Sequence, residues 1–187
     1  AHFFGFDHPG RDAAAERGPM IAAEELDFNP QRVRVEFAGI DAAFNHPFMK
    51  IQFTGGSMST VSTYEALRQA GATARAMLIS AAAQQWSVEA ATLRTDDGVV
   101  TDGRRRATFG SLAAIAATLP MPEKVVLKAR SEFKYLGRSQ KRLDNLEKVT
   151  GRAQFGLDVD LPGMRTAMVA RPPAFGATVR SFDDTAA

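Results

Sequence analysis

Residues 32–37 alternate strictly, with Val33, Val35 and Phe37 on one side and Arg32, Arg34 and Glu36 on the other, which predicts a half-buried strand. Ahead of it, Pro19 suits a first helical turn, and MIAAEEL (residues 20–26) predicts a short helix that Asn29-Pro30 stops. The strongest helical period runs through residues 64–86. Leu67, Ala70, Gly71, Ala74, Leu78 and Ala81 recur there at three- and four-residue steps, with no proline. A face of Ala and Gly lets backbones approach, so this helix is expected to lie tightly against a sheet or another main chain. Residues 92–101 predict a hairpin turning at Asp97-Gly98, because Asp-Gly supplies the positive φ that such turns need. Residues 111–119 predict a second small-residue helix, closed by Pro120 and Pro122.

Flanking these elements, residues 1–18 read as an irregular lead-in, mixing aromatics with breakers. From Glu123 the pattern weakens, and the charged residues 129–150 predict a connector on a surface. After Gly151 strands are expected at 153–159, 165–170 and 178–182, with a turn at Leu161-Pro162-Gly163. The fold class expected is α+β: helices packed on a mixed β-sheet, followed by a partial β-rich segment. The domain division expected is 1–122, a connector at 123–150, and an incomplete second unit at 151–187.

Composition adds mostly exclusions. Of 187 residues, 45% are hydrophobic and 24% charged, so the chain can bury a core. The absence of cysteine removes disulfides, thiolate nucleophiles, zinc–thiolate sites and iron–sulfur ligation from this chain, and leaves a periplasmic or a cytoplasmic setting equally open. Arg104-Arg105-Arg106 follows a turn without interleaved aromatics, which favours a solvated hairpin tip over a nucleic-acid patch. No apolar run reaches the roughly 20 residues of a membrane span.

One segment asks for chemistry. TGGSMST, residues 54–60, puts two glycines and four hydroxyl residues just before the long helix. Gly55-Gly56 can take backbone angles closed to other residues and lets a ligand approach the main chain. Thr54, Ser57, Ser59 and Thr60 add donors, and a helix N-terminus attracts anions. Two readings stand here, a capped helix with a flexible lead-in and an anion site, most simply for phosphate. No Gly-Lys-Ser/Thr follows, and the third glycine of a dinucleotide fingerprint is missing. His2, His8 and His46 are scattered, with His46 before Pro47 reading as a loop residue. Glu24-Glu25 and Asp183-Asp184 are adjacent pairs whose side chains diverge, unlike a catalytic dyad. Residue by residue, the chain offers one binding loop and no catalytic acid, base, nucleophile or metal-ligand set.

Several stretches, in order, resemble the molybdopterin-binding large subunit of the xanthine dehydrogenase and aldehyde oxidase family, of the isoquinoline 1-oxidoreductase type. They are PMIAAEELDFNPQRVRVEFA, then NHPFMKIQFTGGSMSTVSTYEALRQAGATARAMLISAAAQQW, WSVEAATLRTDDGVV and TFGSLAAIAATLP, and finally LGRSQKRLDNLEKVTGRAQFGLDVDLPGMRTAMVARPPAFGATVRSFD. The resemblance spans roughly residues 19–187. It implies a molybdenum ion held by the dithiolene of a pterin, often as the cytosine dinucleotide. Such enzymes oxidise an aldehyde or N-heteroaromatic ring with oxygen from water. Electrons leave through iron–sulfur clusters on a separate small subunit, which matches the missing cysteines. By the same resemblance Thr54, Gly55, Gly56, Ser57 and Ser59 line the cofactor, with Gly56 nearest the metal, and residues 151–187 open an α/β hammerhead domain.

Two departures bear on activity. The family's Gly-Gln-Gly segment is here GRDAAAERG, without glutamine, and the Gly-Glu pair that carries the family's catalytic base is absent. The chain is therefore expected to be a fragment or degenerate copy that does not turn over alone. Its expected partners are the iron–sulfur subunit, the remainder of the large subunit and a small aldehyde or N-heteroaromatic, with no nucleic acid and no membrane span. The alternative is a non-catalytic phosphate- or nucleotide-binding or assembly module that keeps the fold without the chemistry.

Overall fold

A computed structural model describes residues 2–5, 13–37, 39–53, 55–56, 58–139 and 144–185, with the side chains of 2–5, 13–17 and 37 outside the description. The fold is α+β, as expected. Strand β1 (His2–Gly5) pairs in parallel with β2 (Arg34–Phe37), and helix α1 (Ala13–Leu26) connects them. The long helix α2 (Met58–Trp86) leads to an antiparallel sheet of β3 (Arg94–Asp96), β4 (Val99–Thr101) and β5 (Arg106–Thr108). Helix α3 (Phe109–Ala116) and a short α4 (Asn145–Val149) follow.

The Asp97-Gly98 hairpin forms at the expected residues, with φ of 39° and 80° at its two corners. Gly98 is also required sterically, because a Cβ there would meet the Phe28 ring at 2.9 Å. The core lies beneath this sheet. Leu78, Ala81 and Ala82 of α2 pack with Leu93, Val100 of β4, and Phe109, Leu112 and Ala116 of α3. Burial of these side chains is the main force joining α2, α3 and the hairpin.

The Ala/Gly face of α2 does meet another backbone. A Cβ on Gly71 would sit 2.3 Å from the Ala22 carbonyl oxygen, so only glycine allows this approach to α1. Helix α1 itself starts earlier than expected, and Pro19 lies inside it. The proline removes one N–H from the ladder, a loss offset by the burial of Ile21 and Ala23. The lead-in is likewise not wholly irregular, since four residues of it form β1. A strand that short shows no period of its own and takes its order from β2.

The charged stretch after Glu123 is bound to the end of α1 by its polar groups. Glu24 and Glu25 are fully buried. The Glu24 carboxylate accepts the backbone N–H groups of Lys134, Tyr135 and Leu136 at 2.7–3.1 Å, a concave nest of successive amides. Glu25 accepts from the Arg68 guanidinium at 2.6 and 2.8 Å and from the Lys128 amide at 3.1 Å. Asp27 binds the Lys128 ammonium at 2.6 Å and the Thr95 hydroxyl at 2.6 Å. Burial opposes ionisation of Glu24 and Asp27. The amides of 134–136 around Glu24, and Lys128 with Thr95 around Asp27, outweigh it, so both carboxyls are held below their ordinary range. These acids are structural: each is matched by donors from residues 95–136 and α2.

The strands expected beyond Gly151 do not form. Residues 159–185 carry no helix or strand, and Leu157, Met168, Val169, Phe175 and Phe182 are exposed. Their alternation suits strands, but a strand needs a paired neighbour and a covered face, and the described residues supply neither.

Candidate functional site

The loop that delivers the chain to TGGSMST is built around His46. Asp41 accepts the Ala43 amide at 2.8 Å, and Gln52 reaches back to donate to the Gly39 carbonyl at 2.9 Å. The Asn45 side chain donates to the Lys50 carbonyl at 2.9 Å, while the His46 amide donates to Ile51. His46 is only 4% exposed, and its Nδ1 accepts the amides of Phe48 and Met49, both at 3.2 Å. An accepting Nδ1 carries no proton, so Nε2 is the ring's donor. That buried Nε2 has no hydrogen-bond partner.

The two glycines of the pair differ in their steric setting. A Cβ on Gly55 would meet the Phe53 ring at 2.7 Å, and Gly56 has φ of 57°, in the region that favours glycine. The Met58 amide donates to the Gly55 carbonyl at 3.0 Å, closing the turn as α2 begins. Local geometry accounts for Gly56 through its φ, whereas the ring tip that a Gly55 Cβ would meet belongs to the exposed Phe53 side chain, which can move aside. Thr54 and Ser57 lie outside the described residues.

The hydroxyl groups are different. Ser59 is in the first turn of α2 and Ser62 stands one turn on, about 60° apart around the axis at 3.6 residues per turn. Both Oγ atoms are buried and neither has a hydrogen-bond partner. A buried polar group without a partner costs about 1–3 kcal/mol. Such groups are rare in native proteins. Among the described residues the unpartnered buried side-chain atoms are His46 Nε2, Ser59 Oγ and Ser62 Oγ, all between residues 46 and 62. The helix adds its own first-turn amides, whose carbonyl partners would lie before the helix, and the positive end of its dipole. The Ser59 and Ser62 hydroxyls can each donate or accept.

The opposite side of α2 is occupied differently. A cavity of about 870 Å³ is lined there by Tyr64, Arg68, Arg130, Phe133 and Arg138, among others, and by none of Gly55, Gly56 or Ser59. Arg68 is one of its lining residues, with its guanidinium 5.6 Å from the Tyr64 ring centre and 5.2 Å from that of Phe133. The basic triplet is a solvated hairpin tip, as expected. Arg105 binds Asp102 at 2.7 Å and lies over Trp86, and the Arg105 and Arg104 amides with the Arg105 side chain pull the Asp102 carboxyl down to about 2. Among the described residues no three His, Asp or Glu side chains group as a metal site, and no helix is long and apolar enough to cross a membrane.

Sequence reasoning picks out Gly55, Gly56 and Ser59 and misses two members of the segment. Ser62 is legible only as an i, i+3 partner of Ser59. His46 reads as a loop residue, and nothing in one sequence reveals that its ring is buried.

Comparison with known proteins adds lineage. Residues 19–158 match the family described as molybdopterin cofactor-binding domain. The chain is 38% identical over 206 aligned residues to the beta chain of isoquinoline 1-oxidoreductase from Brevundimonas diminuta, covering 90% of this chain and 26% of that protein. It is 30% identical to the membrane-bound aldehyde dehydrogenase [pyrroloquinoline-quinone] of Gluconacetobacter polyoxogenes, covering 89% and 22%. To a subunit of nicotinate dehydrogenase from Pseudomonas putida it is 31% identical, covering 84% and 13%. The chain thus spans about a quarter or less of the length of these relatives.

Proposed function

The chain belongs to the molybdopterin-binding subunits of the xanthine dehydrogenase family, and from that premise we propose that residues 54–60 line the pterin cofactor of a molybdenum hydroxylase. The observation that carries this reading is the family match over residues 19–158, and the Gly55-Gly56 pair leading into the first turn of α2, where the Ser59 hydroxyl has no partner, supports it. An anionic, oxygen-rich cofactor supplies the acceptors that the segment lacks, so the residues present fit the group. Gly55 and Gly56 give a main chain without side-chain bulk, with Thr54 and Ser57 as further donors. When bound, the cofactor supplies the molybdenum centre at which an aldehyde or N-heteroaromatic ring is oxidised with oxygen from water. The cytosine dinucleotide form would bring further phosphate oxygens to the same donors. The chain's own part is to hold and orient: no residue among its candidates serves as the proton acceptor.

The partners proposed follow the same line. The exposed apolar side chains of residues 155–182 favour a contact with further polypeptide of the large subunit, and residues 151–187 are proposed as the opening of its hammerhead domain. An iron–sulfur small subunit would take the electrons, since this chain has no cysteine to ligate a cluster. One relative carries pyrroloquinoline quinone in its name. The family match over residues 19–158 favours molybdopterin instead. Metal, pterin and quinone analysis of the protein purified from its complete reading frame, with its partner subunits, decides between them. Molybdenum and pterin in equal amounts support the proposal. Phosphate or nucleotide binding without molybdenum would transfer the loop to a non-catalytic binding module.

A further inference from the structure

We propose that the cavity between α2 and residues 130–138 is a docking site for an acidic segment of the large subunit from outside residues 1–187. The inference goes beyond the cofactor reading of residues 54–60 and rests only on the reading of this chain as part of a longer subunit. The cavity is lined by three guanidinium groups, those of Arg68, Arg130 and Arg138, and by no Asp or Glu. Arg68 is answered by Glu25, which it meets through Nε and Nη2. Arg130 and Arg138 are exposed, and among the described residues neither has an acidic partner. The neighbouring acid Glu132 accepts the Ala129 amide at 2.6 Å and does not line the cavity. Two of the three cations therefore lack a counter-charge.

Both walls are anchored before any partner arrives. Glu24 grips the amides of residues 134–136, and Arg68 also donates to the Lys128 carbonyl at 2.6 Å. A cationic hollow fixed in this way attracts an anion at little cost in reorganisation. Carboxylates match the guanidinium fork, and Arg beside Tyr and Phe is the composition of protein interfaces. A volume of about 870 Å³ exceeds what one carboxylate occupies, so a run of side chains fits it better than a lone ion. The relatives are several times longer than this chain and have polypeptide to supply that run.

Arg130→Lys and Arg138→Lys keep the charge and bring a primary amine to the cavity. In the complete protein with its partner subunits, a zero-length carbodiimide joins such an amine to a carboxylate in direct contact, and peptide mass spectrometry identifies both ends. Arg104→Lys, at the exposed hairpin tip, is the control. The expected result is a link from position 130 or 138 to an Asp or Glu of the large subunit outside residues 1–187, with none from Arg104→Lys. The double variant Arg130→Glu/Arg138→Glu should then melt about 2–4 °C lower than wild type, and reversing the linked acid to Lys should restore the loss. No link from either position, links confined to residues 1–187, or links to the iron–sulfur subunit overturn the proposal. So do a double variant that melts as wild type and a reading frame that ends at residue 187. Molybdenum and pterin content enters none of these outcomes, so the cofactor reading stands or falls separately.

Discussion

Two sets of buried polar groups sit in this chain, and their hydrogen bonds are arranged in opposite ways. At the end of α1, Glu24, Glu25 and Asp27 are taken out of water, and donors from α2, Thr95 and residues 128–136 meet them. Between residues 46 and 62, His46 Nε2, Ser59 Oγ and Ser62 Oγ are also buried, and among the described residues no hydrogen-bond partner meets these three atoms. The first cluster carries full charges and is closed. The second leaves three polar atoms unpaired. Charge and burial together do not mark a site, and an unmet hydrogen-bonding group is the rarer feature of the two.

Breaking the closed cluster should have the largest effect. Glu24→Ala strands the amides of Lys134, Tyr135 and Leu136 and removes a partner of Lys128. The expected loss of stability is about 3–5 kcal/mol, the range for removing one partner of a buried charged set. Denaturant unfolding measures it, and limited proteolysis should find residues 124–139 newly accessible. A loss below about 1 kcal/mol, the worth of an exposed ion pair, would mean that the clasp holds nothing.

Acid gives a smaller and graded effect. The Glu24 and Asp27 carboxyls titrate lower in the folded chain than in the unfolded one. Their contribution is therefore complete above the unfolded values, near pH ~4, and is lost as pH falls through the folded values. Thermal melts across this range should show stability falling below about pH 4, with a shallower slope in Glu24→Gln, which removes one of the two titrating groups. The second set contributes no such slope through its serines, which do not titrate.

This contrast also explains which parts are legible in the sequence. The α2 period, the Asp97-Gly98 hairpin and the close approach through Gly71 are local consequences of residue type; the hairpin and the approach stand where the pattern predicts them, while α2 ends at Trp86 as expected but begins at Met58, six residues before the expected start. The clasp is not legible, because Glu24 meets partners more than a hundred positions away. Adjacent acids in the otherwise apolar stretch of residues 20–26, which meet Arg68 and Arg75, are its only trace. The strands expected after Gly151 fail for a related reason: alternation specifies a face but cannot supply the neighbour that covers it. At the loop, Gly55, Gly56 and Ser59 stand out by composition. The structure shifts the weight among them, since Gly56 has a conformational explanation and the hydroxyl has no partner.

The central claim, that the first turn of α2 holds the cofactor, is tested most directly by Ser59→Ala in the complete protein. Molybdenum and pterin content are read beside the melting temperature of the cofactor-free form. The account predicts cofactor affinity down by about tenfold with the empty protein as stable as wild type or up to about 1 kcal/mol more stable. Full cofactor content with a destabilised empty protein would contradict it, and would make TGGSMST a helix start and nothing more.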